Sequence, residues 1–398
     1  MRPSMQYIAV LGRQPEFGLA ELESLLGSQA ITPIGGGVAN IAYDHTIPFA
    51  RFGSVIKFAK VHQTIDTPSA HAVVSAFYKY IASEHPYEQG VKLKIGISDY
   101  SKTFSRHTLG QLGLTLKKEL KKEGYSVRIV PNKSPILGSA QVIHNNLTAP
   151  HGIEFVMFKQ AGALHYATSV YEQDIEAYTA RDQARPMRDA RVGMLPPKLA
   201  QTIINLATGK TTDWQPAGHT VLDPFCGTGV ILQEALLMGY DVYGTDLEPR
   251  MIDYSQQNLR WLTERNTHIP KNIRLQVGDA SSYTWQAPLD FIAAETYLGR
   301  PLTGLLQQSD LVDLVQSVNT LHKKVLINIH SQISANTRLC LAVPAWRTKK
   351  GFAHLPILDQ LDKMGYNRIE FTHAKAKDLI YIRDNQFVGR ELVVLQKN

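Results

Sequence analysis

Cysteine is scarce in this chain, with Cys226 and Cys340 the only two among 398 residues. They lie far apart and form no CxxC or Cys/His pattern, which excludes a disulfide framework and a cysteine-rich zinc site. The sequence also lacks an apolar run of the ~18 residues that a membrane-spanning helix needs, and it shows no signal peptide. We therefore expect a cytoplasmic protein that holds no metal and contacts no membrane.

A large net charge is absent too, because 42 Lys and Arg oppose 35 Asp and Glu. The whole excess of +7 lies in residues 91–160, where eleven basic residues face four acidic ones. A solvated helix face is one interpretation of its central lysine-rich stretch, and a polyanion-binding surface is the other. The residues predicted to form that surface are Lys117, Lys118, Lys121, Lys122, Arg128, Asn132 and Lys133.

The length exceeds what one hydrophobic core usually organises, so we expect two or three domains. Alternating strand and helix patterns predict α/β structure throughout. Residues 1–65 are typical of a small ferredoxin-like unit and residues 66–175 of a second α/β domain. A polar stretch at 176–194 predicts a linker. Residues 195–398 predict a doubly wound domain with a largely parallel sheet.

Two details of this organisation can be tested directly. The basic residues of the predicted linker, Arg185, Arg188 and Arg191, belong either to a solvated connector or to an RNA contact. In the last domain a helix is predicted from Asp310, followed by a strand at 324–329.

Acidic residues follow three successive predicted strands of the last domain. Asp223 precedes a turn in which Gly227 and Gly229 allow the backbone to approach a ligand closely. Asp246 closes the second strand, where an acidic residue hydrogen-bonds ribose hydroxyls, and Asp279 follows the third. Strand-end capping is the alternative role for any one of these aspartates. The predicted cofactor site is Asp223, Phe225, Gly227, Thr228, Gly229, Asp246, Leu247, Asp279 and Ala280.

Two nucleotide cofactors compete for this site. An NAD site favours a third glycine where Leu232 stands, and Asp223 would repel a pyrophosphate. S-adenosylmethionine carries no phosphate, and its ammonium and sulfonium charges suit the carboxylates of Asp223 and Asp246. The residues therefore favour S-adenosylmethionine over NAD.

Three segments resemble one known family. Residues 223–259 are similar to the first two motifs of the THUMP-containing tRNA guanosine-10 N2-methyltransferases, residues 11–27 to their N-terminal opening, and residues 127–147 to the THUMP signature. The resemblance implies ferredoxin-like and THUMP domains that hold tRNA, and a Rossmann-like seven-stranded domain that transfers a methyl group from S-adenosylmethionine. It leaves the oligomeric state and any accessory subunit open.

The resemblance also points to the reacting residues. Relatives that methylate exocyclic amines carry Asp or Asn, two prolines and an aromatic residue after the fourth strand, where this chain has Glu295, Thr296 and Tyr297. Glu295 would accept a hydrogen bond from the amine, the Thr296 carbonyl would be a second acceptor, and Tyr297 would stack on the base. An unpaired Glu295 at a buried strand end would otherwise be costly.

Other functions fit parts of this pattern. Because the proline pair is missing, one alternative is a noncatalytic RNA-binding protein that retains the cofactor fold. A second is an amino-methyltransferase for adenine or cytosine in DNA or RNA. Cysteine-based pyrimidine methylation needs a thiolate nucleophile, and neither Cys226 nor Cys340 lies in a context that favours one.

Overall fold

The computed structural model describes residues 5–66, 68–189, 194–209, 215–286 and 288–398. These residues divide into two compact units. The first contains the described parts of 1–15, 29–50 and 55–177, and the second those of 16–28, 51–54 and 178–398. Arg191 of the predicted linker lies outside the described residues.

The first unit is built on one eight-stranded sheet with the order β2-β3-β1-β4-β8-β7-β5-β6. Strand β5 pairs in parallel with β6 and β7, and the other pairings are antiparallel. Its elements are β1 Met5–Leu11, β2 Ile31–Gly35, β3 Val38–Tyr43, β4 Val55–Ile65, α2 Ala70–Glu84, β5 Lys92–Asp99, α3 Arg106–Lys122, β6 Ser126–Ile129, α4 Ser139–His144, β7 Gly152–Gln160 and β8 Ala163–Glu172. Helix α1 Pro15–Leu26 follows β1 in the chain and belongs to the second unit from residue 16 onward.

The boundary predicted at residue 65 falls at the end of β4, inside this sheet. Strands from both sides of it are joined because β4 pairs with β8 along most of its length. Residues 16–28 belong to the second unit, where Phe17 and Ala20 of α1 pack in the same core as Leu199 and Val221. The predicted ferredoxin-like segment is thus divided between the two units.

Helices α2 and α3 cover one face of the first sheet. In α3 the residues Leu109, Leu112, Leu116 and Leu120 recur every three or four positions and are buried, which is the spacing of one helix face. The helix begins at Ser105, whose hydroxyl accepts a hydrogen bond from Thr108 N at 3.1 Å and so caps the first turn. Burial of the leucines turns the lysines of α3 away from the core.

A buried ion cluster joins three strands of the same sheet. Lys57 of β4 donates to both carboxylate oxygens of Glu154 of β7 at 2.5 Å, and its Nζ lies 3.3 Å from Glu172 Oε2 of β8. The hydroxyls of Ser98 and Ser169 also donate to Glu154, at 2.6 and 2.5 Å. Burial lowers the pKa of Lys57, but the effects of Glu154, Tyr100 and Glu172 together outweigh burial, and the pKa is raised overall. One cation therefore balances two buried carboxylates.

The second unit is built on a nine-stranded sheet whose seven principal strands have the order β11-β10-β9-β12-β13-β17-β15. The five strands β9, β10, β11, β12 and β13 run parallel to one another, and β17 is antiparallel to β13. The elements are α5 Ile175–Gln183, α6 Pro197–Thr208, β9 Thr220–Asp223, α7 Val230–Leu237, β10 Asp241–Asp246, α8 Pro249–Arg265, β11 Ile273–Val277, β12 Phe291–Glu295, α9 Gln308–Gln332, β13 Arg338–Thr348, β14 Gly351–Ala353, β15 Tyr366–Arg368, β16 Ile380–Tyr381 and β17 Val388–Lys397.

This arrangement confirms the predicted doubly wound α/β fold with a largely parallel sheet. Neighbouring strand residues point to opposite faces: Val221 lies in the core shared with α6, α7 and α8, and Leu222 in the core shared with α9. The path contains the predicted seven strands, and the short strands β14 and β16 pair at its side. Within the described ranges no helix is both long and apolar enough to cross a membrane.

The strand predicted at 324–329 is wrong, because these residues form the second half of α9. Their β-branched residues alternate in a way that suits a strand, but they continue a helical series. Leu311, Val318, Val325, Leu326 and Ile329 are buried and share one helix face. Over a helix of 25 residues, packing of that face decides the structure.

Candidate active site

The predicted cofactor residues lie at the carboxyl edge of the parallel strands. Asp223 ends β9 with 2% of its surface exposed, and its Oδ1 accepts from Phe225 N at 3.0 Å. Asp246 ends the adjacent strand β10, and its carboxylate accepts from Gly227 N at 2.9 Å and from Glu248 N at 3.0 Å. Parallel pairing of β9 with β10 thus brings the two predicted aspartates to one glycine loop, residues 224–229 between β9 and α7.

The glycine loop needs its glycines for conformation and for space. Gly227 and Gly229 have φ values of +52° and +82°, in the left-handed region. A Cβ atom at Gly229 would lie 2.9 Å from Ser255 Oγ of α8. The same hydroxyl donates to Gly227 O at 2.8 Å, and Asn258 Nδ2 donates to Thr228 O at 2.8 Å. Helix α8 therefore fixes the backbone of this loop.

Three carboxyl groups lie at this edge, where burial opposes their ionisation. Burial raises the pKa of Asp223 well above its usual value, and the charges of Asp246 and Glu295 raise it further. Burial also raises the pKa values of Asp246 and Glu295. A cationic ligand would relieve this repulsion, whereas a pyrophosphate would increase it. The donor set therefore fits S-adenosylmethionine, whose ammonium and sulfonium are positive, better than NAD.

The remaining predicted cofactor residues surround the same edge. Gly278 N donates to Asp246 O at 2.9 Å, which holds the segment after β11 beside the end of β10. Asp279 is exposed, and Ala280 is buried with its carbonyl accepting from Asn328 Nδ2 at 3.1 Å. Leu247 is a large apolar residue that stays 63% exposed. Contact of these residues with a cofactor stays a prediction.

Glu295 has a partner that the sequence did not reveal. It ends β12, and its Oε1 accepts a hydrogen bond from Nε of Arg390, a buried residue of β17. Burial raises the pKa of Glu295, and the Arg390 guanidinium opposes that increase. The assumption that this carboxylate is unpaired is therefore wrong. Arg390 supplies a structural reason for an acid at this strand end, and it also favours the ionised form.

The two residues after Glu295 differ sharply in exposure. Thr296 is buried, and its N–H donates to Ala342 O of β13 at 3.1 Å. Tyr297 follows with half of its surface exposed, which is unusual for a large aromatic side chain. The strand end therefore fixes Thr296 and presents the Tyr297 ring to solvent, where a flat base can stack on it.

The predicted basic surface lies on the first unit. Lys118, Lys121 and Lys122 of α3 are exposed, and Lys122 pairs with Glu119 at 2.6 Å. Lys117 of the same helix is half-buried, whereas Arg128 and Lys133 are exposed. The Asn132 side-chain amide donates to Ile97 O and Ser134 O. Asn132 shapes its loop, and the exposed cations remain available for an anionic partner.

The predicted linker is only partly a connector. Helix α5 extends to Gln183, and Arg181 pairs with the buried carboxylate of Glu234 at 2.7 Å. Arg185 is 2% exposed. Neither role predicted for Arg185, in a solvated connector or at an RNA contact, suits a guanidinium that solvent does not reach.

Both cysteines are free and buried. Burial raises the pKa values of the Cys226 and Cys340 thiols. Both are therefore protonated near neutral pH, which disfavours a thiolate mechanism. Among the described residues, no group of three or more His, Cys, Asp or Glu side chains is placed to hold a metal ion.

Comparisons with known proteins agree with this geometry. Residues 216–381 match a family model described as a methyltransferase domain, and residues 166–257 match one described as DNA methylase. The chain is 30% identical over 165 residues, 41% of its length and 43% of the relative's, to a tRNA (guanine(10)-N2)-dimethyltransferase of Methanothermobacter thermautotrophicus. An enzyme of the same name from Pyrococcus abyssi is 30% identical over 38% of this chain and 39% of its own.

Two solved structures have a similar fold. TrmN from Thermus thermophilus has a TM-score of 0.50 at 16% identity, over 99% of this chain and 100% of its own. A possible methylase from Clostridium difficile 630 has a TM-score of 0.50 at 13% identity, over 98% of each chain. The match to the curated relatives spans about two fifths of their length. The chain is therefore similar over part of its length to tRNA (guanine(10)-N2)-dimethyltransferases, and its residues 216–381 match a methyltransferase domain.

Proposed function

We propose that this protein transfers a methyl group from S-adenosylmethionine to the exocyclic N2 amine of a guanosine in tRNA. The observation that carries the proposal is the position of Glu295. Its strand β12 pairs in parallel with β9, so Glu295 and Asp223 end neighbouring strands, and the Glu295 carboxylate raises the pKa of Asp223 beside the glycine loop. The proposed amine acceptor Glu295 and the cofactor crevice therefore lie at the same edge of the sheet. The names of the relatives supply the choice of guanosine N2 and of tRNA.

Each residue has a distinct role in this proposal. When bound, S-adenosylmethionine supplies an electrophilic methyl group. Asp223 and Asp246 bind the cationic and ribose parts of the cofactor. Glu295 and the Thr296 carbonyl accept hydrogen bonds from the amine and orient its lone pair, while Tyr297 stacks on the base. As the amine forms its new bond to carbon it becomes more acidic, so the hydrogen bond to Glu295 strengthens on the way to the transition state.

Asp246→Ala should weaken S-adenosylmethionine binding by about 1.5 to 3 kcal/mol, because charge-assisted hydrogen bonds to the ribose are lost. Isothermal titration calorimetry measures the change. Asp253→Ala is the matched control, since Asp253 is an exposed aspartate of α8 that accepts from Gln257. Absence of S-adenosylmethionine and S-adenosylhomocysteine binding to the parent at millimolar concentration, or binding of NAD instead, would contradict the cofactor assignment.

Reversal of charge on α3 should weaken tRNA binding. In a variant with Lys117, Lys118, Lys121 and Lys122 changed to Glu, the slope of log affinity against log salt should flatten by roughly one unit per lost phosphate contact. Cofactor affinity should change little. The same reversal at Lys323 and Lys324, exposed lysines of α9, is the control. A salt slope equal to the parent's would place the tRNA surface elsewhere.

A second candidate function is amino-methylation of adenine or cytosine, which the match of residues 166–257 to the DNA methylase model favours. The same acceptor geometry suits any exocyclic amine. Nucleoside analysis of the product distinguishes the two functions, because methylguanosine and methyladenosine or methylcytidine differ in mass. Location in the cytoplasm stays a prediction.

A further inference from the structure

A buried histidine lies directly behind the candidate catalytic segment. His322 of α9 is 3% exposed, and its Nε2 lies 2.7 Å from Thr296 Oγ1. Its other ring nitrogen, Nδ1, lies 2.8 Å from Val318 O in the same helix. The ring thus connects α9 to the residue that follows Glu295.

The hydrogen-bond partners determine the direction of this contact. A carbonyl oxygen only accepts, so His322 Nδ1 carries the hydrogen that points to Val318 O. Burial lowers the pKa of His322 to about 4, so the ring is neutral near pH 7 and Nε2 is an acceptor. The Thr296 hydroxyl has two acceptors within reach, His322 Nε2 at 2.7 Å and Ala342 O at 3.1 Å, and it donates to Nε2 at the shorter distance. The Thr296 N–H donates separately to Ala342 O, which fixes both sides of the residue.

The same face of α9 contacts the far end of the segment. Leu314, Val318 and His322 are spaced by four residues and share that face. Gly299 has φ +87°, and a Cβ there would lie 3.3 Å from Leu314 Cδ1 and 3.6 Å from Val318 Cγ2. Residues 296–299 are thus held against α9 at both ends. Tyr297, half exposed, lies between them.

We propose that His322 is a positioning residue for methyl transfer, acting through the Thr296 hydroxyl on the Thr296 carbonyl and the Tyr297 ring. This inference rests on the proposed function, which makes those two groups the second acceptor and the stacking surface. A reacting group misplaced by about 1 Å costs on the order of 10²-fold in rate. Loss of the hydrogen bond between Thr296 and His322 would release residues 296–299 beside Glu295. The glycine loop would keep its own hydrogen bonds to α8.

The contact is tested with Thr296→Val and His322→Leu. Each should slow single-turnover methyl transfer at saturating cofactor and tRNA by about 10-fold to 10²-fold, with both dissociation constants within about twofold of the parent's. Thr296→Ser keeps the hydroxyl and should recover most of the rate. The double variant should be no slower than Thr296→Val alone, because Thr296→Val already breaks the contact with His322, together with the 3.1 Å contact of the same hydroxyl with Ala342 O.

Thr320→Val is the matched control, because its hydroxyl is exposed and bonds Gln316 O within α9 at 2.9 Å. Amide exchange of residues 296–299 should quicken in the two single variants and not in this control. An active parent whose variants keep its rate overturns the positioning role, and so do multiplicative effects in the double variant. A parent that methylates no tRNA overturns the proposed function instead, and faster exchange in the variants still supports the hold of His322 on the segment.

Discussion

Glu295→Gln should lower the turnover of methyl transfer by about 10²-fold or more while tRNA affinity changes little. Glutamine keeps the shape and one acceptor oxygen, but it loses the charge that stabilises an amine as its N–H becomes more acidic. Single-turnover assays with unmodified tRNA measure the rate, and filter binding measures the affinity. Glu370→Gln is the matched control, since Glu370 is an exposed glutamate at 3.7 Å from Arg368. A Glu295→Gln variant as fast as the parent would contradict the acceptor role.

Substitution of Arg390 tests the acceptor role of Glu295 through the pH dependence of the rate. The ionised form of Glu295 is the acceptor, so turnover should fall as pH drops through its pKa. Burial raises that pKa and Arg390 opposes the increase. In Arg390→Met only the raising effect remains, so the acid limb of the rate profile should move to higher pH. An acid limb that stays at the parent's position would separate Glu295 from the rate-limiting step.

Lys57→Met should destabilise the first unit by about 3 to 5 kcal/mol, because Glu154 and Glu172 stay buried without a cation. Native-state hydrogen exchange measures this loss locally. Amides of β4, β7 and β8 should lose protection, while peptides from β9 to β13 serve as an internal reference in the same sample. Burial raises the pKa of Glu172 and Lys57 opposes that increase, so without Lys57 this pKa rises further and the folded state binds protons more readily than the unfolded state. The deficit should therefore be smaller near pH 5 than near pH 8.

Lys60→Met is the control for this change, because Lys60 lies on the same strand and is exposed. It removes the same charge and adds the same side chain, and surface substitutions of this kind usually stay within about 0.5 kcal/mol. Equal protection of β4, β7 and β8 in Lys57→Met and in the parent would mean that the cluster adds no net stability.

Local sequence predicted the geometry of the glycine loop and the strand ends beside it, because the signals there are local. Gly227 and Gly229 have the positive φ values that their role requires, and Asp223 and Asp246 end neighbouring strands beside them. The leucine spacing of α3 likewise predicted which side of that helix faces solvent. In these cases a pattern within a few residues fixes the geometry.

The candidate catalytic segment is held by contacts that no local sequence pattern reveals. Arg390 is 95 residues from Glu295 in sequence, and the antiparallel return of β17 beside β13 brings them together. His322 lies in α9, and residues 324–329 of that helix were wrongly predicted as a strand. The error concealed which face of the helix carries His322 and how close that side chain lies to Thr296. The contacts of Arg390 with Glu295 and of His322 with Thr296 depend on how strands and helix α9 pack together, and spacing along the chain does not predict them.

The central claim is that this chain methylates the N2 amine of a tRNA guanosine. The most direct measurement incubates the purified protein with S-adenosylmethionine and unmodified tRNA transcripts, then identifies nucleosides by mass spectrometry against synthetic standards. We predict N2-methylguanosine or its dimethylated form in the parent reaction, reduced about 10²-fold or more in Glu295→Gln. A protein that binds both S-adenosylmethionine and tRNA yet leaves every transcript unmethylated would contradict the account and favour a noncatalytic RNA-binding role.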